Sequence, residues 1–243
     1  MSVVEWHTAG DPLPNPADWL NAPEHEAYAG LAHPRRRREW LFARIALKRL
    51  LIEDGWVAGP LQASVLRGSS GKPELRIGKK SGSNPRLLCS LAHCADRVMA
   101  ACRPIEGTLR DLTEAGTDAR ERKALGISLR TRRAKSDHPG IGVDLVRMSP
   151  HIARRRRFFA SPGDDRFDAA DAMRDAALLW CLKEAAAKAL GLGFGSVFRA
   201  LVCRNLGGGR CAVEPAGTAF RLTGYVQSDG DWTRAAVGTV HCD

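Results

Sequence analysis

Apolar residues recur along the chain with two spacings, one typical of helices and one typical of strands. The longest helical stretch is 176–190, and Gly191 follows it as a residue that favours helix ends. Only Lys183, Glu184 and Lys188 interrupt its apolar surface. A helix that is apolar on nearly every side is normally buried, and a buried carboxylate needs a cation, a metal or a proton. Glu184 is therefore either half of an ordinary surface ion pair with Lys188 or a functional acid inside the protein.

A second acid lies in a predicted strand upstream of this helix. In residues 141–146, I-G-V-D-L-V, apolar residues alternate with Gly142, Asp144 and Val146, as in a strand with one buried face. Asp144 shares its face with a glycine, which lets a ligand or another backbone come close. One acid on a strand and one on a buried helix are a usual way to hold a divalent cation together with phosphate oxygens. We therefore interpret Asp144 and Glu184 as a candidate site for a divalent cation.

The rest of the pattern predicts two groups of elements, one on each side of this strand. Before it we expect a long helix at 35–53 and strands at 3–7, 62–67, 87–94 and 97–102. The prolines at 12, 14 and 16 predict that no helix begins before about residue 23. After it we expect antiparallel strands at 197–204, 210–214, 219–226 and 232–241. The prediction is an α+β fold with an N-terminal half, 1–139, and a C-terminal half, 140–243, each a long helix packed on a small antiparallel sheet.

A polar segment of mixed charge at 103–139 is predicted to be an insertion in the N-terminal half. Long structureless loops are uncommon in compact domains. The segment is therefore a mobile arm, a short helix near 118–125 or an element that docks a partner, and the sequence leaves these open.

Composition favours a globular protein that binds polyanions. The 243 residues are 44% hydrophobic, and 37 Lys and Arg against 27 Asp and Glu give a net charge of +10. No apolar run is long enough to span a bilayer and no secretory signal precedes the first strand, so we expect a cytoplasmic protein. Seven scattered cysteines without a C-x-x-C pair suggest neither a zinc site nor a disulfide framework. Nucleic acid is one polyanion that such a charge fits, and charge alone does not choose the partner.

Two motifs taken together resemble a known family. G-V-D-L at 142–145, followed by W-C-L-K-E-A-A-A-K-A-L-G at 180–191, is similar to the signature of the 4′-phosphopantetheinyl transferases, most of all to their Sfp-type branch. The resemblance implies two similar α/β halves related by a pseudo-twofold axis. It also implies an Mg²⁺-dependent enzyme that moves the phosphopantetheine arm of coenzyme A to a serine of an acyl or peptidyl carrier protein and releases 3′,5′-ADP. We expect a monomer whose partner is an acidic carrier protein.

The resemblance also implies roles for individual residues. Asp144 and Glu184 are expected to bind the metal, Glu184 to take the proton from the carrier serine, and Lys188 to stabilise the transferring phosphate or the departing nucleotide. The helix start at 35–38, R-R-R-R, resembles the segment that holds a phosphate of coenzyme A, and which of its arginines take part is open. The expected contacts with coenzyme A phosphates are Arg37, Arg38, Arg44, Lys72, His93 and Lys183.

One departure from the family pattern supports a different interpretation. Val146 stands where Sfp-type members commonly carry a further acid, so weaker metal binding is expected. A catalytically silent homologue that binds coenzyme A or a carrier protein is therefore an alternative. A nucleic-acid-binding protein is a remote alternative that rests on the arginine clusters at 35–38 and 154–157. We disfavour it because it leaves Asp144 and Glu184 unexplained.

Overall fold

The computed structural model describes residues 1–68, 72–78, 87–105, 140–192, 198–215 and 221–239. Within these residues the protein is a mixed α+β fold with antiparallel sheets, which confirms the predicted fold class. Most of the insertion predicted at 103–139, including the suggested helix near 118–125, lies outside the described residues. We call residues 1–105 the N-terminal half and residues 140–239 the C-terminal half, and the domain boundary itself stays a prediction.

The N-terminal half packs one long helix against small antiparallel sheets. Its helices are α1 (Pro16–Trp19), α2 (Ala22–Ala29) and α3 (Pro34–Glu53). Its strands are β1 (Ser2–His7), β2 (Ala63–Arg67), β3 (Pro73–Ile77), β4 (Leu87–Cys94) and β5 (Arg97–Pro104). They form a sheet of order β1-β5-β4 and the pair β2-β3. Helix α3 covers these strands through buried apolar residues such as Phe42, Leu47 and Leu51, so burial of one apolar face fixes its position.

The C-terminal half repeats this plan with a larger sheet. Its helices are α4 (Pro150–Phe159) and α5 (Ala172–Leu190). Its strands are β6 (Ile141–Arg147), β7 (Leu201–Gly207), β8 (Arg210–Pro215), β9 (Leu222–Asp229) and β10 (Trp232–Thr239), in the order β6-β10-β9-β8-β7. Helix α5 extends beyond the apolar stretch 176–190 at its start, because the side chain of Asp171 caps it by accepting hydrogen bonds from the amides of Met173 and Arg174. It ends where Gly191 adopts a left-handed φ of +69°.

The prediction that no helix begins before about residue 23 is wrong. Helix α1 begins at Pro16, where the missing amide proton of proline is not needed. The Asn15 side chain caps it by accepting a hydrogen bond from the amide of Ala17. Helix α2 then begins with a capping box between Asn21 and Glu24. Proline is compatible with the first turn of a helix, so the prolines in this segment did not exclude one.

Each half contains a lysine buried on its long helix. The Lys48 ammonium on α3 lies 2.5 Å from the Glu24 carboxylate, and both side chains are fully buried. On α5, the Lys183 ammonium lies 2.8 Å from the Asp164 carboxylate, again inside the protein. This shared arrangement supports the description of two similar halves. Their sheets differ in size, however, and the pseudo-twofold relation stays a prediction.

The two halves meet where β4 packs against β6. Buried apolar residues from β4, β5, β6 and β10 form one cluster there, including Ala92, Met99 and Val143. The Ser90 hydroxyl on β4 also accepts a hydrogen bond of 3.1 Å from the Val143 amide. The apolar face of the strand that carries Asp144 is thus buried against the N-terminal half. The other face of this strand, which carries Asp144, packs against α5.

Candidate active site

A close approach of α5 to β6 brings the two acids of the candidate metal site together. A Cβ atom added at Gly142 would lie 1.8 Å from the carbonyl oxygen of Ala185 and 2.8 Å from the amide nitrogen of Ala189. Only glycine lets the helix lie this close to the strand. Because Ala185 adjoins Glu184, and Asp144 lies two residues beyond Gly142 on the same face, the contact places the carboxyl groups near each other.

The pair of carboxyl groups is short of positive charge. Glu184 is 9% exposed, and its Oε1 atom is buried without a hydrogen-bond partner among the described residues. Burial, and then the charge of Asp144, raise the pKa of Glu184 to about 7. Burial also raises the pKa of Asp144, against the opposing effect of Lys188. Two acids in one buried place repel each other, so a bound cation would relieve both.

Lys188 supplies part of the missing positive charge and connects the two halves. Its ammonium donates to Asp144 Oδ1 at 2.7 Å and to the carbonyl oxygens of Val143 at 2.9 Å and Leu91 at 3.4 Å. Val143 and Asp144 lie on β6, whereas Leu91 lies on β4 in the N-terminal half. One ammonium therefore compensates one carboxylate, and Glu184 is left without such a contact within the described residues.

The residues present fit a magnesium ion. Mg²⁺ prefers oxygen ligands and keeps several waters, so two carboxylates and a phosphate are enough to hold it. The buried Oε1 of Glu184 is an oxygen of this kind that has no other partner in the described parts of the chain. In those parts no group of three or more His, Cys, Asp or Glu side chains is arranged for a metal. Val146 follows Asp144 on the same strand face, so the position of a third acid is taken by a valine.

Comparison with known proteins identifies this part of the chain. Residues 140–240 match the family model of the 4′-phosphopantetheinyl transferase superfamily. The match covers less than half of the chain, and it shows that this region is similar to the superfamily. No curated protein sequence matches the chain closely enough to count as a relative. The matched region contains Asp144, Lys183, Glu184 and Lys188, and the match supports transfer of phosphopantetheine in general terms.

A group of cations from the N-terminal half lies beside the matched region. His93 Nε2 on β4 lies 2.8 Å from Arg36 Nη1 on α3, and His93 Nδ1 lies 3.3 Å from Glu39 Oε2. Burial, followed by the charge of Arg36, lowers the pKa of His93 to about 4; Lys188 and Arg44 act in the same direction, and Glu39 opposes them. The cations that surround His93 therefore make this a place that favours an anion.

Arg44 is held rigidly next to this group. Its guanidinium donates to the carbonyl oxygen of Val65 at 3.1 Å and of Trp40 at 3.2 Å, and it lies 3.3 Å from the centre of the Trp40 ring. Burial lowers the pKa of Arg44 to about 9. The side chain is 7% exposed. It remains a cation near neutral pH, close enough to Arg36 and His93 to act on their charges.

Lys72 reaches the matched region from the N-terminal half. Its ammonium donates to the carbonyl oxygen of Ala189 at 3.3 Å, in the last turn of α5. A Cβ atom added at Gly191 would lie 2.4 Å from Lys72 Cε, so the lysine runs directly across the end of the helix. Burial lowers the pKa of Lys72. Lys72, the predicted phosphate ligand, thus joins the N-terminal half to the last turn of α5, the turn that also carries Lys188.

Three other residues predicted to bind coenzyme A have protein partners elsewhere. Arg37 donates to the carbonyl oxygens of Leu31 and Ala29 at the end of α2. Arg38 donates to the carbonyl oxygens of Thr8 and Asp11, at 2.6 and 2.9 Å. Lys183 is fully buried and donates to the Ser161 hydroxyl and to the carbonyl oxygens of Phe198 and Leu201. Their roles in binding stay predictions, and these contacts give them no support.

Sequence reasoning left Arg36 open as one of the four arginines at 35–38, and it missed Glu39. Both lie in the first turns of α3, three residues apart, which is the spacing that places side chains on one helix face. The acid that ends the run of arginines was therefore a usable signal. The structure also reveals α4 with exposed Arg154, Arg155 and Phe158. Among the described residues, no helix is long and apolar enough to cross a membrane.

Proposed function

We propose that this protein is an Sfp-type 4′-phosphopantetheinyl transferase. It moves the phosphopantetheine arm of coenzyme A to a serine hydroxyl of an acyl or peptidyl carrier protein and releases 3′,5′-ADP. The observation that carries the proposal is the buried pair Asp144 and Glu184 inside the region that matches the transferase superfamily. A carboxylate oxygen that is buried without a partner in the described chain is costly, and a metal–diphosphate ligand accounts for it.

The two acids have different tasks in this mechanism. Asp144 and Glu184 would hold Mg²⁺, which when bound neutralises the charge that builds up on the attacked phosphate. Glu184 accepts the proton of the carrier serine, directly or through one water. Lys188 stabilises the transferring phosphate or the departing 3′,5′-ADP. To do so, its ammonium exchanges one of its three present acceptors for a phosphate oxygen.

Cations of the N-terminal half bind the nucleotide phosphates. Arg36 and Arg44 lie beside His93, on which the charge of Lys188 also acts, and Lys72 reaches the last turn of α5, which carries Lys188. Coenzyme A carries three phosphate groups, and arginine binds phosphate in a bidentate fork. Substrate binding thus draws on both halves, whereas the metal ligands come from one.

Helix α4 is proposed to dock the carrier protein. Its residues Arg154, Arg155 and Arg157 are exposed, and Phe158 is 63% exposed. The fourth arginine, Arg156, is instead held at 3.0 Å from the Asp175 carboxylate, which fixes α4 on α5. A basic helix with one exposed aromatic ring suits an acidic partner that has an apolar contact point. The net charge of +10 is consistent with such a partner.

The test is transfer itself. The protein is incubated with coenzyme A, Mg²⁺ and apo carrier proteins of fatty acid, polyketide and peptide synthesis, and intact mass reports the addition of one phosphopantetheine. We expect transfer to at least one carrier, and Glu184→Gln to abolish it. Glu214→Gln is the matched control, because Glu214 lies in the same half but pairs with Arg204 and Arg221. Transfer that is equal in both variants would contradict the mechanism.

The alternative of a catalytically silent homologue rests on Val146. With a valine on the face of Asp144, the described metal site has two carboxylates, and Lys188 already contacts one of them. Binding of coenzyme A without transfer to any carrier protein, at saturating Mg²⁺, would favour this alternative. Salt-sensitive binding of DNA with no affinity for coenzyme A would favour the nucleic-acid alternative.

A further inference from the structure

Glu39 lies among cations at the proposed phosphate site, although an acid repels phosphate. Its side chain is 11% exposed, and its Oε1 atom lies 2.9 Å from Arg35 Nε. Its Oε2 atom lies 3.3 Å from His93 Nδ1 and 3.8 Å from Arg36 Nη1. A carboxylate in this position lowers the positive potential that the surrounding arginines create. The contact with His93 gives a reason for its presence.

The neighbours of His93 determine which ring nitrogen carries the proton. A guanidinium can only donate hydrogen bonds, so His93 Nε2, at 2.8 Å from Arg36 Nη1, must accept. The proton of the neutral ring is then on Nδ1, which faces Glu39 Oε2. Burial and the charge of Arg36 lower the pKa of His93 to about 4, so the ring is neutral at pH 7. Glu39 and Arg36 thus select one tautomer of His93.

This tautomer changes the role of His93. Its Nε2 lone pair is used by Arg36, so the ring orients the guanidinium. Arg36 itself is 55% exposed, so its guanidinium can meet a ligand from solution. We propose that Glu39 is a positioning residue, which through the Nδ1–H of His93 holds Arg36 towards a phosphate group of coenzyme A. This inference rests on the proposed function for the identity of the ligand, and on the geometry alone for the tautomer.

The effect of removing Glu39 on the affinity for coenzyme A has opposite signs for a positioning role and for simple repulsion. If Glu39 only repelled phosphate, Glu39→Ala would tighten the binding of coenzyme A. A positioning role predicts weaker binding, by about tenfold, the size of one lost hydrogen bond to a charged group. In Glu39→Gln the amide oxygen still accepts from Nδ1–H, so binding stays near that of the unchanged protein. Glu53→Ala, at the other end of α3, is the control for loss of an acid.

The affinity is measured by calorimetric titration of coenzyme A into each variant. Arg36→Ala is expected to weaken binding about as much as Glu39→Ala, since both remove the same contact. Adding Glu39→Ala to Arg36→Ala should then cause no further loss. Independent, additive losses, or a Glu39→Ala variant that binds as tightly as the unchanged protein, would overturn the proposal.

The tautomer is read without any ligand from the ¹⁵N chemical shifts of the His93 ring. We expect a protonated Nδ1 in the unchanged protein and in Glu39→Gln, and loss of this preference in Glu39→Ala. A ring protonated at Nε2 in the unchanged protein refutes the positioning role, whether or not coenzyme A binds. A protonated Nδ1 with no coenzyme A binding refutes the proposed function, and with it Glu39 as a residue for that ligand.

Discussion

Replacement of Gly142 by alanine tests whether the contact of α5 with β6 builds the site. The added Cβ would lie 1.8 Å from the carbonyl oxygen of Ala185, where ordinary contact begins near 3.4 Å. Helix and strand must move apart by about 1.6 Å, the difference between these distances. The atoms in the way belong to the backbone of α5, so no side-chain rotation can relieve the clash. The movement separates Glu184 from Asp144.

The magnitude follows from the cost of overpacking. Extra methylene groups in a packed core cost about 1–3 kcal/mol where side chains can shift. A clash with helix backbone belongs at the upper end, so we expect Gly142→Ala to lower the free energy of unfolding by about 3 kcal/mol. For a chain of this size the melting temperature should fall by about 6–12 °C. Metal binding and transfer should fall far more, because both acids must reach one cation.

Two glycines serve as controls in the same assays. Gly59→Ala should be neutral, because no described atom lies within 4 Å of the added Cβ and its φ of −160° suits any residue. Gly224→Ala should destabilise the fold like Gly142→Ala, since its Cβ would lie 1.9 Å from the carbonyl oxygen of Ala236 on β10, and neither residue lies on α5 or β6. Below its melting temperature it should keep its activity. The reasoning is refuted if Gly142→Ala melts like Gly59→Ala, or if Gly224→Ala loses transfer equally.

Three further predictions concern single residues of the C-terminal half. The pKa of Glu184 is raised from 4.5 to about 7, so the contribution of Glu184 to stability is greatest below pH 4.5 and is lost as pH rises through 7 and this buried carboxyl ionises. In EDTA at pH 8, Glu184→Gln should therefore raise the free energy of unfolding by about 3 kcal/mol. Denaturant unfolding at pH 4.5 should show no such gain. Lys183→Met should cost about 3–5 kcal/mol, because it leaves Asp164 buried without its cation; a change in coenzyme A affinity at unchanged stability would instead support the predicted binding role. Val146→Glu should tighten Mn²⁺ binding measured by calorimetry, whereas Val146→Gln should not.

The sequence predicted the elements that carry the acid pair because their signals are local. The alternation around Asp144 and the apolar surface around Glu184 each lie within one element, and the structure has a strand and a helix there. What brings them together is Gly142, whose importance depends on a backbone carbonyl more than forty residues away. The sequence suggested only that something could come close to that face. It did not identify α5 as the element that packs there.

The run of arginines at 35–38 shows why other site residues could not be predicted. Consecutive arginines have no periodicity of their own, so the face that each one takes depends on how α3 packs. Arg37 and Arg38 meet carbonyl groups of Leu31 and Thr8, which come from other segments. Arg36 is the one that reaches His93 on β4. Lys183 is a similar case, because its partner Asp164 lies in an irregular segment that has no pattern.

The candidate site residues are divided between the two halves, and this division has a consequence for substrate recognition. The superfamily match covers the acids and Lys188, whereas Arg36, Arg44, Lys72 and His93 lie before residue 140. Under the proposed function, the residues for chemistry at the metal lie in the part that resembles the superfamily, and those for affinity for the nucleotide lie outside the match. Lys188 joins the two, because its ammonium bonds to Asp144 and to a carbonyl oxygen of β4. Any substitution that shifts β4 against β6 should alter coenzyme A binding and metal binding together, because Lys188 contacts both strands.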